Sequence, residues 1–158
     1  MKRTLYIDST IPSDYFDERP EKQVFKEATR RWWHEEGPRF IVYTSDYVLI
    51  ELNRGNYPNR SAVLELIRYV EPLETNDEIE AIAEVYMQEY VMPKGAAGDA
   101  FHLACASFYK VDYLLTWNCN HLANANKDQH IRIVNARLGL FTPRIVTPLE
   151  LFRERNDI

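Results

Sequence analysis

Three acidic residues of this sequence occupy positions where carboxylates can do chemistry. Asp8 directly follows the apolar run 5–7, and Asp99 begins an Ala-rich apolar segment. Glu51 is the only charged residue in the run 47–52, and burying a carboxylate without a compensating cation is costly. A set of oxygen ligands without histidine or cysteine suits Mg²⁺ or Mn²⁺. The three acids are therefore candidate ligands of a divalent metal ion.

Each acid also has a purely structural interpretation. Asp8 and Asp99 could cap helices, since an acid at a helix N-terminus is favoured by the helix dipole. Glu51 could form a salt bridge with Arg54 or with another basic residue. Asn118 follows an apolar strand, at the edge equivalent to that of Asp8. The set is more specific than its members, because one shared cleft would account for all four positions.

The periodicity of apolar residues predicts strands that alternate with helices. Strands are predicted at residues 5–7, 40–44, 113–116 and 144–147. Helices are predicted after the turn 9–12, whose proline is suited to opening a helix, and at 21–36, 46–52, 61–69, 77–90, 99–108 and 131–138. Ser45 is predicted to cap the helix at 46–52, and residues 95–98 to form a flexible turn. Such alternation indicates a parallel sheet covered on both faces, whose ligands bind beyond the carboxyl ends of the strands. Without a repeat or a linker, residues 1–158 are predicted to form a single α/β domain.

The composition excludes several classes of protein. The chain has 158 residues, of which 46% are hydrophobic and 27% charged, as expected of one globular domain. Two cysteines exclude a disulfide framework and a four-cysteine zinc site. The apolar run at the N-terminus is too short to form the core of a signal peptide, and no run of 18 apolar residues occurs. A soluble cytoplasmic protein without a membrane segment is therefore expected. A net charge of −5 argues against a surface that binds nucleic acid everywhere, but it permits a local basic rim.

Four motifs follow one another in a characteristic order: Tyr6-Ile7-Asp8-Ser9-Thr10, then Glu51 in a helix, then Gly98-Asp99-Ala100-Phe101-His102-Leu103-Ala104, then Leu115-Thr116-Trp117-Asn118. This series resembles the PIN-domain ribonucleases and is most similar to the VapC toxins of bacterial type II toxin–antitoxin pairs. The resemblance covers nearly the whole chain. It implies a PIN-like parallel sheet of four to five strands flanked by helices on both faces.

The same resemblance implies a function and a set of site residues. The function is that of a metal-dependent endoribonuclease toxin that hydrolyses RNA phosphodiester bonds, forms a homodimer and is neutralised by a cognate antitoxin. Mg²⁺ or Mn²⁺ would be held by Asp8, Glu51 and Asp99, and the fourth catalytic position would fall on Asn118, which is Asp in many members. Ser9 and Thr116 could orient a neighbouring carboxylate through their hydroxyl groups. Because Asn contributes no charge, one tightly held metal ion is expected.

Two other functions stay open at this stage. A catalytically silent PIN-like domain that binds RNA or a partner is one, and the amide of Asn118 favours it. An aspartate-dependent phosphatase is a weaker alternative, because such an enzyme of the dehalogenase type would carry a second Asp where Thr10 stands.

Several further residues invite a functional interpretation. His102 is interpreted as a packed or hydrogen-bonded histidine, whereas His121 could either reach the cleft or begin a helix. Lys94 is the basic residue expected nearest to the site. Aromatic residues near the first helices exceed what one small core needs and predict a homodimer surface; they are Tyr15, Phe16, Trp32, Trp33 and Tyr47.

Overall fold

A computed structural model describes residues 1–154 and contains a five-stranded parallel sheet. The strands are β1 Arg3–Ile7, β2 Phe40–Ser45, β3 Glu71–Leu73, β4 Tyr113–Leu115 and β5 Arg144–Val146, in the order β3-β2-β1-β4-β5. The α-helices of this part of the chain are α1 Thr10–Tyr15, α2 Gln23–Glu35, α3 Asp46–Asn53, α4 Arg60–Ile67, α5 Asp77–Gln88, α6 Ala97–Phe108 and α7 Ala125–Arg137. The predicted PIN-like α/β fold is confirmed.

Strand β1 lies at the centre of the sheet and brings the site together. Its residues Leu5, Tyr6 and Ile7 are fully buried, and the strand pairs with β2 on one side and β4 on the other. All the strands are parallel, so the chain leaves β1 and β4 at the same edge of the sheet. Asp8 and the residues that follow Leu115 consequently meet there, and the Asp8 amide donates to the Leu115 carbonyl at 3.4 Å.

Most predicted elements are confirmed, with three differences that have physical reasons. The sequence did not indicate β3, because it has three residues including Pro72, which an edge strand tolerates. Helix α7 begins at Ala125, earlier than predicted. The apolar pattern missed its first turns because their residues are polar. The predicted flexible turn at 95–98 instead forms a short 3₁₀ turn, Lys94–Ala96, that leads directly into α6. Asp99 therefore lies in the first turn of α6 and does not cap it.

The aromatic residues assigned to a dimer surface pack within the molecule to a large extent. Trp32 is 1% exposed and stacks on Phe40, so it belongs to the core. Tyr47 stacks on Phe101 with ring centroids 4.6 Å apart. Trp32 therefore adds nothing to a dimer surface, in agreement with its position on the apolar stripe of α2, and homodimerisation stays a prediction.

The structure also bears on membrane insertion. In residues 1–154, no helix combines the length and the apolar character that crossing a bilayer requires.

Candidate active site

Asp8 is the most enclosed acid of the site. Asp8 is 1% exposed, and three hydrogen-bond donors surround its carboxylate. Oδ1 accepts hydrogen bonds from the Thr10 amide at 3.0 Å and the Thr10 hydroxyl at 2.5 Å, and Oδ2 accepts one from the Thr116 hydroxyl. Burial raises the pKa of Asp8 to about 6, although the charge of His102 and the hydroxyl donors act in the opposite direction. The carboxylate is thus held in one orientation and easily neutralised by a proton or a cation.

Two threonine hydroxyls connect Asp8 to the loop after β4. The Thr10 hydroxyl accepts a hydrogen bond from the backbone N–H of Trp117, and the Thr116 hydroxyl accepts one from the backbone N–H of Asn118, both at 2.9 Å. Each threonine therefore donates to Asp8 and accepts from the loop at the same time. Ser9 was predicted to orient Asp8, but the hydroxyl after β1 that binds Asp8 belongs to Thr10. Ser9 stands at the N-cap of α1 without a capping hydrogen bond from its side chain.

Asn118 and His121 hold Asp99. The side-chain nitrogen Nδ2 of Asn118 donates to Asp99 Oδ2 at 2.9 Å, and Nδ1 of His121 lies 3.1 Å from the same oxygen. The Asn118 amide oxygen accepts from the backbone N–H groups of Asn120 and His121. A side chain with both a donor and an acceptor is needed to bridge the loop to Asp99, and Asn supplies both where Asp would supply only acceptors.

Glu51 is paired with a histidine. Its Oε1 lies 2.7 Å from Nε2 of His102, which is 1% exposed, so the predicted alternative of a salt bridge with Arg54 is replaced by His102. Burial on its own would lower the pKa of His102, but the hydrogen bond and charge of Glu51 and the charges of Asp8 and Asp99 raise it.

Hydrogen bonds connect the candidate acids indirectly. Thr116 and Asn118 link Asp8 to Asp99. His102, on the same helix as Asp99, binds Glu51.

The donor set suits a hard divalent cation, although the carboxylates face protein partners in this structure. Within residues 1–154, no three His, Cys, Asp or Glu side chains stand close enough together to bind a metal ion as they are placed. In the same part of the chain, the hydrogen bonds to Asp99 all go to Oδ2 and the one to Glu51 goes to Oε1. Asp99 Oδ1 and Glu51 Oε2 thus accept none of these hydrogen bonds, whereas both oxygens of Asp8 accept one or more. The oxygen-only chemistry fits Mg²⁺ or Mn²⁺. Joint ligation requires side-chain rotation.

A basic residue that the sequence analysis missed lies near Asp99. Lys127 donates to the Val91 carbonyl at 2.9 Å, and its pKa is lowered by burial and raised in part by the charge of Asp99. Lys94, the predicted basic neighbour, is exposed. Lys127 is on α7, 28 positions from Asp99, so only the tertiary fold brings the two together.

A cleft leads away from Glu51 along the surface. Its volume is about 310 Å³, and its lining includes Ser9, Glu51, Arg54 and Tyr57. A neighbouring groove of about 580 Å³ shares Tyr57 and extends to Arg19. A long ligand could follow this surface with one end at the acids.

Comparison with known proteins agrees with the fold and the motifs. Residues 5–127 match the model of the PIN domain family. The crystal structure of VapC20 from Mycobacterium tuberculosis, described as a sarcin–ricin loop cleaving toxin, is similar with a TM-score of 0.54 and 18% identity over 70% of this chain and 87% of that one. At that identity the likeness concerns the fold. A search of curated proteins gives no match. Because the family match spans most of its length, this chain belongs to the PIN-domain family.

Proposed function

We propose that this protein is a metal-dependent endoribonuclease that hydrolyses RNA phosphodiester bonds and acts as the toxin of a toxin–antitoxin pair. The observation that carries the proposal is the hydrogen-bonded placement of three acids at the carboxyl edge of a PIN-domain sheet, where Thr116 and Asn118 link Asp8 to Asp99 and His102 binds Glu51. VapC20, which shares the fold, is described as a toxin that cleaves an RNA loop, and this supports the same class of substrate here.

In the proposed mechanism Asp8, Glu51 and Asp99 would hold one Mg²⁺ or Mn²⁺ ion. The chemistry that such an ion would supply is activation of a water molecule and stabilisation of negative charge on the phosphate oxygens. Thr10 and Thr116 keep the Asp8 carboxylate oriented, since their hydroxyls bind its two oxygens. Asn118 keeps Asp99 in place through its amide nitrogen. These polar contacts restrict the carboxylates to few orientations, from which side-chain rotation would bring them to one ion.

RNA is proposed to bind along the cleft that contains Arg54 and Tyr57. Arg54 is exposed and lies next to Glu51 in the cleft lining, so it can pair with a phosphate beside the scissile bond. The net charge of −5 restricts such contacts to the neighbourhood of the site. The Asn118 position lacks the negative charge that would favour a second cation, which supports one tightly held ion in the free protein.

The proposed partners are an RNA substrate, a cognate antitoxin and a second copy of the chain, and the proposed compartment is the cytoplasm. A nuclease that acts on cellular RNA damages its own cell unless it is restrained, and an antitoxin that covers the acidic cleft would provide that restraint. The family and the VapC20 likeness support this arrangement.

The test compares RNA cleavage by the wild type and by Asp8→Asn. The amide oxygen of the variant can still accept from Thr10, so the fold should persist while a ligand charge is lost. Total cellular RNA and a sarcin–ricin loop oligonucleotide are incubated with each protein in Mn²⁺ and in EDTA, with thermal unfolding as the control for folding. We expect cleavage only by the wild type in Mn²⁺.

Two outcomes contradict the proposal. Equal cleavage by Asp8→Asn, with EDTA without effect, would show that the activity does not depend on this site. No cleavage of either RNA by a folded wild type that also gains no stability from Mn²⁺ would favour the silent, RNA- or partner-binding alternative.

A further inference from the structure

A chain of buried hydrogen bonds ends on Glu51. The Tyr6 hydroxyl lies 2.8 Å from the Ser45 hydroxyl and 2.7 Å from Nδ1 of His102. On its other side the imidazole reaches Glu51, with Nε2 2.7 Å from Oε1. Ser45, Tyr6 and His102 are all at most 1% exposed. The chain therefore crosses the protein interior from β2 through β1 to α6 before it reaches the site.

The chain holds Glu51 in either protonation state of His102. An ionised Glu51 only accepts hydrogen bonds, so Nε2 must carry a proton and donate to it. Nδ1 faces the Tyr6 hydroxyl, which can donate to a neutral imidazole or accept from a charged one. The Ser45 hydroxyl can likewise serve Tyr6 in both directions. The contact with Glu51 thus persists whichever way the inner hydrogen bonds run.

The far end of the chain is anchored on the helix that carries Glu51. The Ser45 hydroxyl accepts from the Val48 amide at 3.2 Å and caps α3, and Glu51 is one turn further along the same helix. Tyr6 and His102 consequently connect the start of α3 to the Glu51 carboxylate through the core. Such a closed loop fixes the rotation of α3 as well as the side-chain rotamer.

The second oxygen of Glu51 is confined by Gly98. A Cβ placed on Gly98 would lie 3.0 Å from Oε2 of Glu51, so this oxygen is in close contact with the first turn of α6. The carboxylate therefore lies between the His102 imidazole, which contacts Oε1, and the space beside Gly98 that a side chain would fill.

We propose that Tyr6 and His102 are positioning residues, which hold the Glu51 carboxylate at the candidate metal site without touching the metal or the RNA. This inference rests on the proposed metal-dependent function. An apolar pair would fill the same space without burying polar atoms, and burial of polar groups is costly unless they serve each other or a site. The end of the chain on a candidate metal ligand favours the second explanation.

The test is calorimetric titration of Mn²⁺ into variants with a matched control. Tyr6→Phe removes only the hydroxyl, and we expect the affinity for Mn²⁺ to fall by about tenfold, as for other outer partners of metal ligands. Tyr86→Phe is the control, because Tyr86 is also fully buried and its hydroxyl belongs to a separate network, donating to Asn135 Oδ1 at 2.6 Å and lying 3.3 Å from the Ser107 hydroxyl. Its affinity for Mn²⁺ should equal that of the wild type at a comparable loss of thermal stability.

A second pair of variants separates an effect on the position of Glu51 from an effect on folding. His102→Leu removes the donor to Glu51, whereas His102→Gln keeps a side-chain N–H that can reach it. We expect His102→Gln to restore most of the Mn²⁺ affinity that His102→Leu loses, although both lose the imidazole.

The outcomes distinguish this inference from the function on which it rests. A wild type that binds no Mn²⁺ overturns the proposed metal-dependent function and the inference together. A wild type that binds Mn²⁺ while Tyr6→Phe binds it equally well overturns the inference alone. Equal losses in Tyr6→Phe and Tyr86→Phe, or no rescue by His102→Gln, would also show a structural role only.

Discussion

Gly98→Ala is expected to stabilise the protein and to weaken its metal site at the same time. Gly98 is the second residue of α6, and its φ is not in the left-handed region. The added Cβ would lie 3.0 Å from Oε2 of Glu51 and 3.5 Å from the Tyr47 ring, where ordinary contacts are 3.4–4 Å. The Glu51 carboxylate must therefore shift by a few tenths of an ångström away from α6.

The two effects have opposite signs and separate magnitudes. Alanine is favoured over glycine inside a helix by about 0.5–1 kcal/mol, so the free energy of unfolding should rise by up to that amount. Metal ligands must be held within about 0.5 Å of their productive positions, and a displaced Glu51 should weaken Mn²⁺ binding by about tenfold, or about 1.4 kcal/mol. A change that acted on folding alone could not move the two quantities in opposite directions.

The assay is urea unfolding together with Mn²⁺ calorimetry. Gly95→Ala is the matched control, because no atom lies within 4 Å of a Cβ at Gly95 and its substitution should leave Mn²⁺ affinity unchanged. Wild-type affinity in Gly98→Ala would refute the reasoning that Glu51 is a ligand held against α6. An equal loss of affinity in Gly95→Ala would refute the steric explanation.

Three further predictions concern the acids and the oligomeric state. The folded pKa of Asp8, about 6, lies above its ordinary value of 3.8, so its carboxylate destabilises the fold once ionised, and the free energy of unfolding should fall by about 3 kcal/mol as the pH rises through this window. Asp8→Asn should remove that part of the fall in the free energy of unfolding, measured by urea unfolding at pH values below and above this window. If the wild type and the variant lose stability in parallel as the pH rises, the prediction is wrong. Asn118→Asp replaces the donor 2.9 Å from Asp99 Oδ2 by a second carboxylate, so the metal-free protein should melt lower and gain more from Mn²⁺ than the wild type; unchanged melting with and without Mn²⁺ would place this residue outside the metal's influence. Homodimerisation is expected in light scattering at micromolar concentration, and a strict monomer would remove that prediction.

Local patterns in the sequence were sufficient to predict the framework of the site. The apolar run of β1 placed Asp8 at a strand end, and the polar Ser45 before an apolar helix predicted a cap that the structure contains. Both signals act over a few residues, which is the range over which periodicity and capping operate. The parallel sheet then followed from the alternation of elements.

Contacts between distant residues could not be predicted in the same way. Glu51 and His102 are 51 positions apart, and nothing in either segment identifies the other as its partner. The role of Thr10 was missed because a one-residue difference in a tight turn decides which hydroxyl meets Asp8. Asn118 was interpreted by its missing charge, whereas its amide nitrogen, a donor to Asp99, gives it a role that only the fold reveals.

The most direct test of the proposed metal site is anomalous diffraction from crystals of the wild type soaked in Mn²⁺. We expect one strong manganese peak at the carboxyl edge of the sheet, coordinated by oxygens of Asp8, Glu51 and Asp99, and no peak there in Asp8→Asn. A manganese ion bound elsewhere, or an ordered site in which these three carboxylates keep their present protein partners and bind no metal, would contradict it.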